Sequence, residues 1–383
     1  MPSNKNSINI LLAPNAFKNS LGADEVATAL AEGLKQSRVD ATINCCPVGD
    51  GGDGTGKILA LHLKAEKRLY KTVDPFGRPI TAPIYYTNDH TAIIELADTS
   101  GLKLLQPAEY DPMRATTYGT GILLKKALDR KVKRILLAIG GSATIDGGSG
   151  ILNALGIQFL NSKGIAIKKF PQYLTQLQDI DLSGMDVRLK QTELVILCDV
   201  KNKLLGSNGA AKVFGPQKGA TPENISILEK SLKVLDKIIY QASGIKISSL
   251  PHGGAAGGIA ASLTALCNAK SVNGTDFFLD IIRFNEQLQE ADIVITGEGS
   301  LDAQTLEGKA PLGVAKRAKR MGIRVIGIGG KTESNNKKLR HYFDHLMPIS
   351  SPNSSLAKAI RETRSNLVKA GKKTGQLIQT NLV

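Results

Sequence analysis

The chain has 383 residues, 42% hydrophobic and 22% charged, which excludes a disordered polypeptide and supplies apolar material for more than one core. Its formal net charge is +15, yet only 4% of residues are aromatic and Trp is absent, so the basic excess lacks the stacking platforms of a nucleic-acid surface and is read as attraction for anionic metabolites. No stretch reaches the roughly eighteen apolar residues of a membrane span, and Cys45, Cys46, Cys198 and Cys267 have no C-x-x-C spacing, so a reduced, cytoplasmic protein away from the membrane is expected.

After Met1–Ser7, which reads as a short polar leader, Ile8 to Ala13 is a β-rich apolar run closed by Pro14. Val26, Ala27, Leu30, Ala31 and Leu34 then recur at helical spacing and predict a helix over 23–35. A second unit repeats the grammar: a strand from Thr42 to Val48, the glycine-rich run Gly49 to Gly54, and a helix through Ile58, Leu59 and Leu63. Strands alternating with helices predict an α/β fold with a doubly wound parallel sheet. The turn cluster Asp74 to Pro79 and two strands joined at Asn88-Asp89-His90 are hairpin grammar, which sets a candidate domain boundary near residue 74. Continuous apolar runs at 134–140, 194–199, 293–296 and 325–329 predict further buried strands. The densest basic stretch, Lys316 to Arg340, reads as the solvated face of a helix and its neighbours.

Ligands of open parallel sheets bind beyond the carboxyl ends of the strands, and five glycine-rich or acidic segments stand there: 50–54, 140–148, Asp199, 297–302 and 327–331. Glycines at such ends, here Gly51, Gly52, Gly141, Gly297 and Gly299 beside Ser142, let main-chain N–H groups approach a phosphate. Carboxylates there, Asp50, Asp53, Asp146, Asp199, Glu298 and Asp302, can hold Mg²⁺ or take a proton from an attacking hydroxyl. Lys18, Lys218, Lys309 and Lys331 lie in or beside small-residue loops and are the candidate anion holders, although any lysine taken alone reads as a surface charge. Gly51 to Lys57 fits G-x-x-x-x-G-K but continues with Ile58 where a P-loop needs Ser or Thr, and no G-x-G-x-x-G follows the first strand. His62, His90, His252, His341 and His345 show no zinc-ligand pairing with cysteine.

With these residues in view, the chain resembles the bacterial type I glycerate kinases over essentially its full length. The matching stretches are Ala13 to Leu21, Asp50 to Thr55, Gly140 to Gly148, Cys198 to Val200, Phe214 to Ala220, Ala255 to Gly258, and Ile295 to Gly299 with Asp302, Gln304, Gly308 and Lys309. The resemblance implies a Rossmann-like (flavodoxin-like) parallel-sheet domain made from both chain ends, residues 1–73 and 290–383, with a second α/β domain, 74–289, inserted. It implies ATP-dependent phosphorylation of glycerate, with 2-phosphoglycerate the preferred product and ATP and Mg²⁺ as the cofactors. Asp199 and Asp302 are the base and magnesium candidates and Asp50 a further carboxylate; Lys18 and Lys218 are expected to hold the glycerate carboxylate or the phosphates. Asn15-Ala16 stands where Asp-Ser is common in the family, Asp53 where Glu is common, and His252-Gly253-Gly254 where Gly-Ala-Gly is usual, so the acceptor is less fixed than the reaction class. A kinase of another small hydroxy acid and a non-catalytic binder of an anionic metabolite remain the alternatives; oligomeric state is not legible.

Overall fold

The computed structural model describes residues 7–351 and 353–380, so the expected leader lies almost wholly outside the described residues. Thirteen strands are present among them. The first two are β1 (Ile8–Leu12) and β2 (Ala41–Cys45). Next come β3 (Glu66–Val73), β4 (Pro79–Tyr86), β5 (Thr91–Glu95), β6 (Arg134–Ala138), β7 (Gln158–Asn161) and β8 (Leu177–Asp181). The last five are β9 (Glu193–Cys198), β10 (Lys270–Asn273), β11 (Ile293–Leu301), β12 (Arg324–Thr332) and β13 (His345–Pro348).

Backbone contacts divide the chain into two compact units, one made of residues 1–50 with 275–383 and the other of 51–274. The first unit carries a five-stranded sheet in the order β13-β12-β11-β1-β2, parallel throughout. Counted along this unit alone, the order is 5-4-3-1-2, the flavodoxin-like arrangement, and its switch point falls between β1 and β11. Ile10, Leu12, Ile293, Ile295, Ile326 and Ile328 fill its core with Val26, Leu30 and Leu34 from helix Ala23–Gln36. That helix is set by the apolar spacing already noted, by Asp24 and Glu25 in its first turn, and by Glu25 Oε2 accepting from Gly22 N at 2.8 Å. Each such buried aliphatic side chain contributes about 1.5–3 kcal/mol. The basic stretch near Lys316 begins on helix Ala310–Arg320, whose Arg317 pairs with Asp280 at 2.8 Å and whose Lys319 pairs with Asp344 at 2.5 Å. These are partly exposed ion pairs on a helix whose other face, Leu312, Val314, Ala315 and Ala318, is buried, as expected for a solvated helix face.

The second unit carries a six-stranded sheet, β10-β9-β6-β5-β4-β3, with β5, β6, β9 and β10 parallel and β3 and β4 antiparallel at one edge. A two-stranded antiparallel pair, β7 and β8, accompanies it. Its core gathers Ile94, Leu123, Leu137, Ile151, Phe159, Ile196, Leu232 and Ile259.

The contact division falls at residues 50 and 274 rather than near 73 and 289. Asp74 to Pro79 is the turn of a β3–β4 hairpin, closed by Asp74 N donating to Arg78 O at 2.9 Å and by Phe76 N donating to Asp74 Oδ1 at 2.8 Å. Its two strands belong to one sheet, so the turn that marks a boundary in the sequence lies inside the second unit. Helix Thr55–His62 goes with that unit as well, because it packs on β5.

Candidate active site

In the first unit, the ends of β1, β2 and β11 bring together Lys18, Asp50, Glu298, Asp302 and Lys309 from among the charged residues singled out in the sequence. Ala13 and Asn15, leaving β1, donate their N–H groups to Ile295 O and Gly297 O at 2.8 Å, which carries the β1–β11 pairing into the loop. Gly297 is required there, because a Cβ on it would lie 1.9 Å from Ile328 O of β12. Asn15 is buried and donates through Nδ2 to Asp50 Oδ2 at 2.8 Å, while its own Oδ1 accepts from Ala16 N. The Asn15 amide thus offers Asp50 a donor where a carboxylate would repel it. Lys18 follows in the same loop and is exposed, and its backbone N stands 3.9 Å from where a Cβ on Gly299 would be.

Glu298 of β11 is 6% exposed, and Thr305 Oγ1 donates to its Oε1 at 2.9 Å. Lys309 Nζ stands 3.7 Å from its Oε2. Burial pushes the carboxyl up to about 7; Lys309 opposes this, Asp50 adds to it, and Lys18 opposes it further. Asp302 is the N-cap of the turn Ala303–Glu307: its Oδ1 accepts from Gln304 N at 2.8 Å and its Oδ2 from Ser300 Oγ at 2.6 Å. Asp50, Gly297, Gly299, Asp302, Lys309 and Lys18 are thus all in the first unit with Glu298, a strand-end acid to which the sequence assigns no individual role.

In the second unit, the loops after β6 and before helix Thr55–His62 meet through glycines. Gly140 N donates to Gly51 O at 2.9 Å, and a Cβ on Gly140 would lie 2.3 Å from Gly52 Cα. Gly51, Gly52, Gly141 and Ser142 are therefore neighbours. Lys218 reaches the same loop, but its ammonium faces protein: at 2% exposure, Nζ donates to Ser142 Oγ at 2.7 Å and to Thr144 O at 2.8 Å. Burial lowers its pKa to about 7, against the charge of Asp146. This is a lysine that shapes the Gly140 to Gly148 loop from beneath. Asp146 is fully buried and accepts from Thr117 N, Thr117 Oγ1, Gly148 N and Gly150 N at 2.8 to 3.2 Å.

Lys218 gives a pH prediction. A lysine whose folded pKa lies below its unfolded value destabilises the fold while charged, so its contribution improves as pH rises from about 7 towards 10.5. The stability of the wild type relative to Lys218→Met is expected to rise by about 2–3 kcal/mol between pH 7 and pH 9. Parallel urea titrations of the two proteins at those pH values read this difference, and a constant gap would show that Lys218 titrates as an exposed lysine does.

Asp199 follows β9 and is partly buried. Its loop is held by His252 Nδ1 against Val200 O at 2.7 Å and by Gly254 N donating to Asn202 O at 2.8 Å. His252 is thus a loop fastener. A cluster that the sequence gave no reason to assemble joins Asp53 to Glu95 at the end of β5. Lys103 Nζ lies 3.0 Å from Asp53 Oδ1, 2.7 Å from Asp98 Oδ1 and 3.6 Å from Glu95 Oε1. Glu95, 2% exposed, accepts from Gly54 N at 2.5 Å, and burial followed by the adjoining Asp53 raises its pKa. The readable signal was an acid closing the buried run Thr91 to Glu95.

Among the described residues, no three His, Cys, Asp or Glu side chains gather as an all-protein metal cage. Among them, too, no helix is long and apolar enough to cross a membrane.

A family model described as the glycerate kinase family matches residues 10–379. A glycerate kinase of Halalkalibacterium halodurans is 39% identical over 95% of this chain and 96% of its own. A glycerate 2-kinase of Escherichia coli K12 is 36% identical over 95% and 96%. A crystal structure from Salmonella typhimurium LT2, assigned as glycerate kinase 2, is 37% identical with a TM-score of 0.82, covering 98% of this chain and 100% of its own.

Proposed function

The chain belongs to the glycerate kinase family, and within that phosphotransferase activity we propose that ATP is the donor, Mg²⁺ accompanies its phosphates, and 2-phosphoglycerate is the product. The observation that carries the product is the 36% identity, over nearly the full length of both chains, to a relative named glycerate 2-kinase. Phosphoryl transfer asks little covalent chemistry of a protein; it needs positioning, positive charge around the migrating group and a carboxylate near the acceptor hydroxyl. The loops described above offer these features. Backbone N–H groups of Gly51, Gly52, Gly141, Gly297 and Gly299 are proposed phosphate donors, with Ser142 beside them. Lys18 and Lys309 are proposed to meet anionic oxygens directly, and Lys218 to act through Ser142. Asp199 in one unit and Asp302 in the other are each proposed for magnesium or proton transfer, and Asp50 as a supporting carboxylate. When bound, Mg²⁺ would neutralise charge building on the phosphoryl oxygens.

The test is incubation with Mg·ATP and D-glycerate, following ADP release and the phosphorus NMR spectrum of the product. Glycerate-dependent ADP with a phosphate on the secondary carbon is expected. A 3-phospho spectrum overturns the regiochemistry alone, turnover only with another hydroxy acid moves the acceptor, and binding without ADP release removes the catalytic reading.

A further inference from the structure

Three carboxylates stand near the switch point of the first unit's sheet, and two are engaged by hydrogen-bond donors of the surrounding loops. Asp50 receives Asn15 Nδ2, and Asp302 spends one oxygen on Gln304 N and the other on Ser300 Oγ. Glu298 differs in three respects. It is carried by β11 itself rather than by a loop after it, so the sheet fixes its place. Its Oε1 is pinned by the Thr305 hydroxyl, and Thr305 Oγ1 in turn receives Asp302 N at 3.2 Å. Its Oε2 faces Lys309 Nζ at 3.7 Å, an ion-pair distance that is longer than a hydrogen bond.

From this arrangement we propose that Glu298 is the proton acceptor for the substrate hydroxyl that becomes phosphorylated, an inference that rests on the kinase reading above. The acceptor O–H bond breaks and its proton passes to Glu298 Oε2. The electron pair left on the acceptor oxygen forms the new bond to the γ-phosphorus of the nucleoside triphosphate. The bond from that phosphorus to the β–γ bridging oxygen breaks, its pair leaves with the nucleoside diphosphate, and Glu298 later returns the proton to water. Lys309, at the N-cap of helix Ala310–Arg320, keeps a cation beside the carboxylate before transfer and beside the incoming phosphoryl oxygens during it. The charged groups facing Glu298 are Lys309, Asp50 and Lys18; with burial they leave the carboxyl near neutrality, where a general base works best. In the first unit, Asp302 is then left to the magnesium role.

Glu298→Gln keeps the shape and the Thr305 contact and removes the basic oxygen. The expected kcat falls about 10²- to 10⁴-fold, with the dissociation constant for Mg·ATP changed by no more than a few-fold. Wild-type kcat/KM should fall tenfold per pH unit below about 7, and the residual activity of E298Q should lack that limb. Glu298 also leaves a signature in stability. A carboxyl with a raised folded pKa favours the fold below its unfolded pKa and loses that favour as pH rises through about 7. E298Q is therefore expected to melt higher than the wild type at pH 8 and no higher at pH 4. An E298Q kcat within tenfold of an active wild type overturns the assignment. So does a wild-type kcat/KM that is flat from pH 6 to 8, which decides the matter even if the variant does not fold. A wild type that releases no ADP with glycerate is a separate result, and it removes the kinase reading itself.

Discussion

Asp302→Asn and Asp199→Asn are each expected to lower kcat by about 10²- to 10⁴-fold while leaving the melting temperature within a few degrees of the wild type. For Asp302 the structure sharpens the comparison. An asparagine rotated with Oδ1 toward Gln304 N keeps that bond of 2.8 Å, and its Nδ2 can donate to Ser300 Oγ where Asp302 Oδ2 now accepts at 2.6 Å. The cap survives, so only the charge is removed. If turnover collapses with the cap intact, the charge is used on magnesium or a proton. If turnover stays near normal, Asp302 is the cap of the turn Ala303–Glu307 and no more. For Asp199 the same substitution removes charge from the loop after β9 without touching the His252–Val200 contact that holds it. Steady-state kinetics at saturating Mg·ATP and glycerate, beside a thermal melt, read both variants. Near-normal kcat in either takes that residue out of the catalytic set.

The parallel strands were legible because central strands buried on both faces read as unbroken apolar runs. β1, β6, β9, β11 and β12 all appear where Ile, Leu and Val crowd together, and the helix at 23–36 follows its apolar spacing. β3 was not legible. Its sequence, Glu66 to Val73, is exposed over its first four residues and forms the outer edge of the second sheet, where charged side chains discourage pairing with another chain. With that strand unseen, the Asp74 to Pro79 turn lost its hairpin partner and read as a domain boundary.

The site divides in the same way. Residue type and position at strand ends were enough to select Asp50, Gly297, Asp302 and Lys309, because the geometry of an open parallel sheet ties ligand position to strand ends. Burial was not legible. A lysine in a Gly-Pro-Gln-Lys-Gly loop reads as solvated, yet Lys218 is enclosed, since its partners Ser142 and Thr144 lie 76 and 74 positions away in the chain. Glu298 is named in the sequence among the strand-end acids but is given no role of its own, for the converse reason. Alternation along β11 does not reveal that one of its polar residues faces Thr305 and Lys309, nor that burial, with Asp50 nearby, outweighs both and raises its pKa.

Asp146→Asn is expected to destabilise the second unit by about 3 kcal/mol and lower its unfolding transition by on the order of 10 °C, although asparagine matches the carboxylate in size. Four donors surround Asp146: Thr117 N and Oγ1 at 2.8 Å and Gly150 N at 3.2 Å on Oδ2, and Gly148 N at 3.0 Å on Oδ1. Burial raises its pKa, with these donors opposing, yet a proton on either oxygen would point at another donor, so the hydrogen-bond geometry suits the ionised form. An asparagine can turn its oxygen to the three donors on the Oδ2 side, but its NH₂ then meets Gly148 N–H, leaving a buried donor unpaired. Turning the amide over leaves three donors unmatched. Lys218 also loses the charge that offsets its burial. The loop from Gly140 to Gly148 is organised from both ends by these two buried groups, so its loosening should reach the glycines proposed above to bind phosphate and raise the KM for Mg·ATP. Differential scanning calorimetry with steady-state kinetics reads both effects. An unchanged transition would show that Asp146 is held as a neutral acid, for which the amide is an adequate replacement.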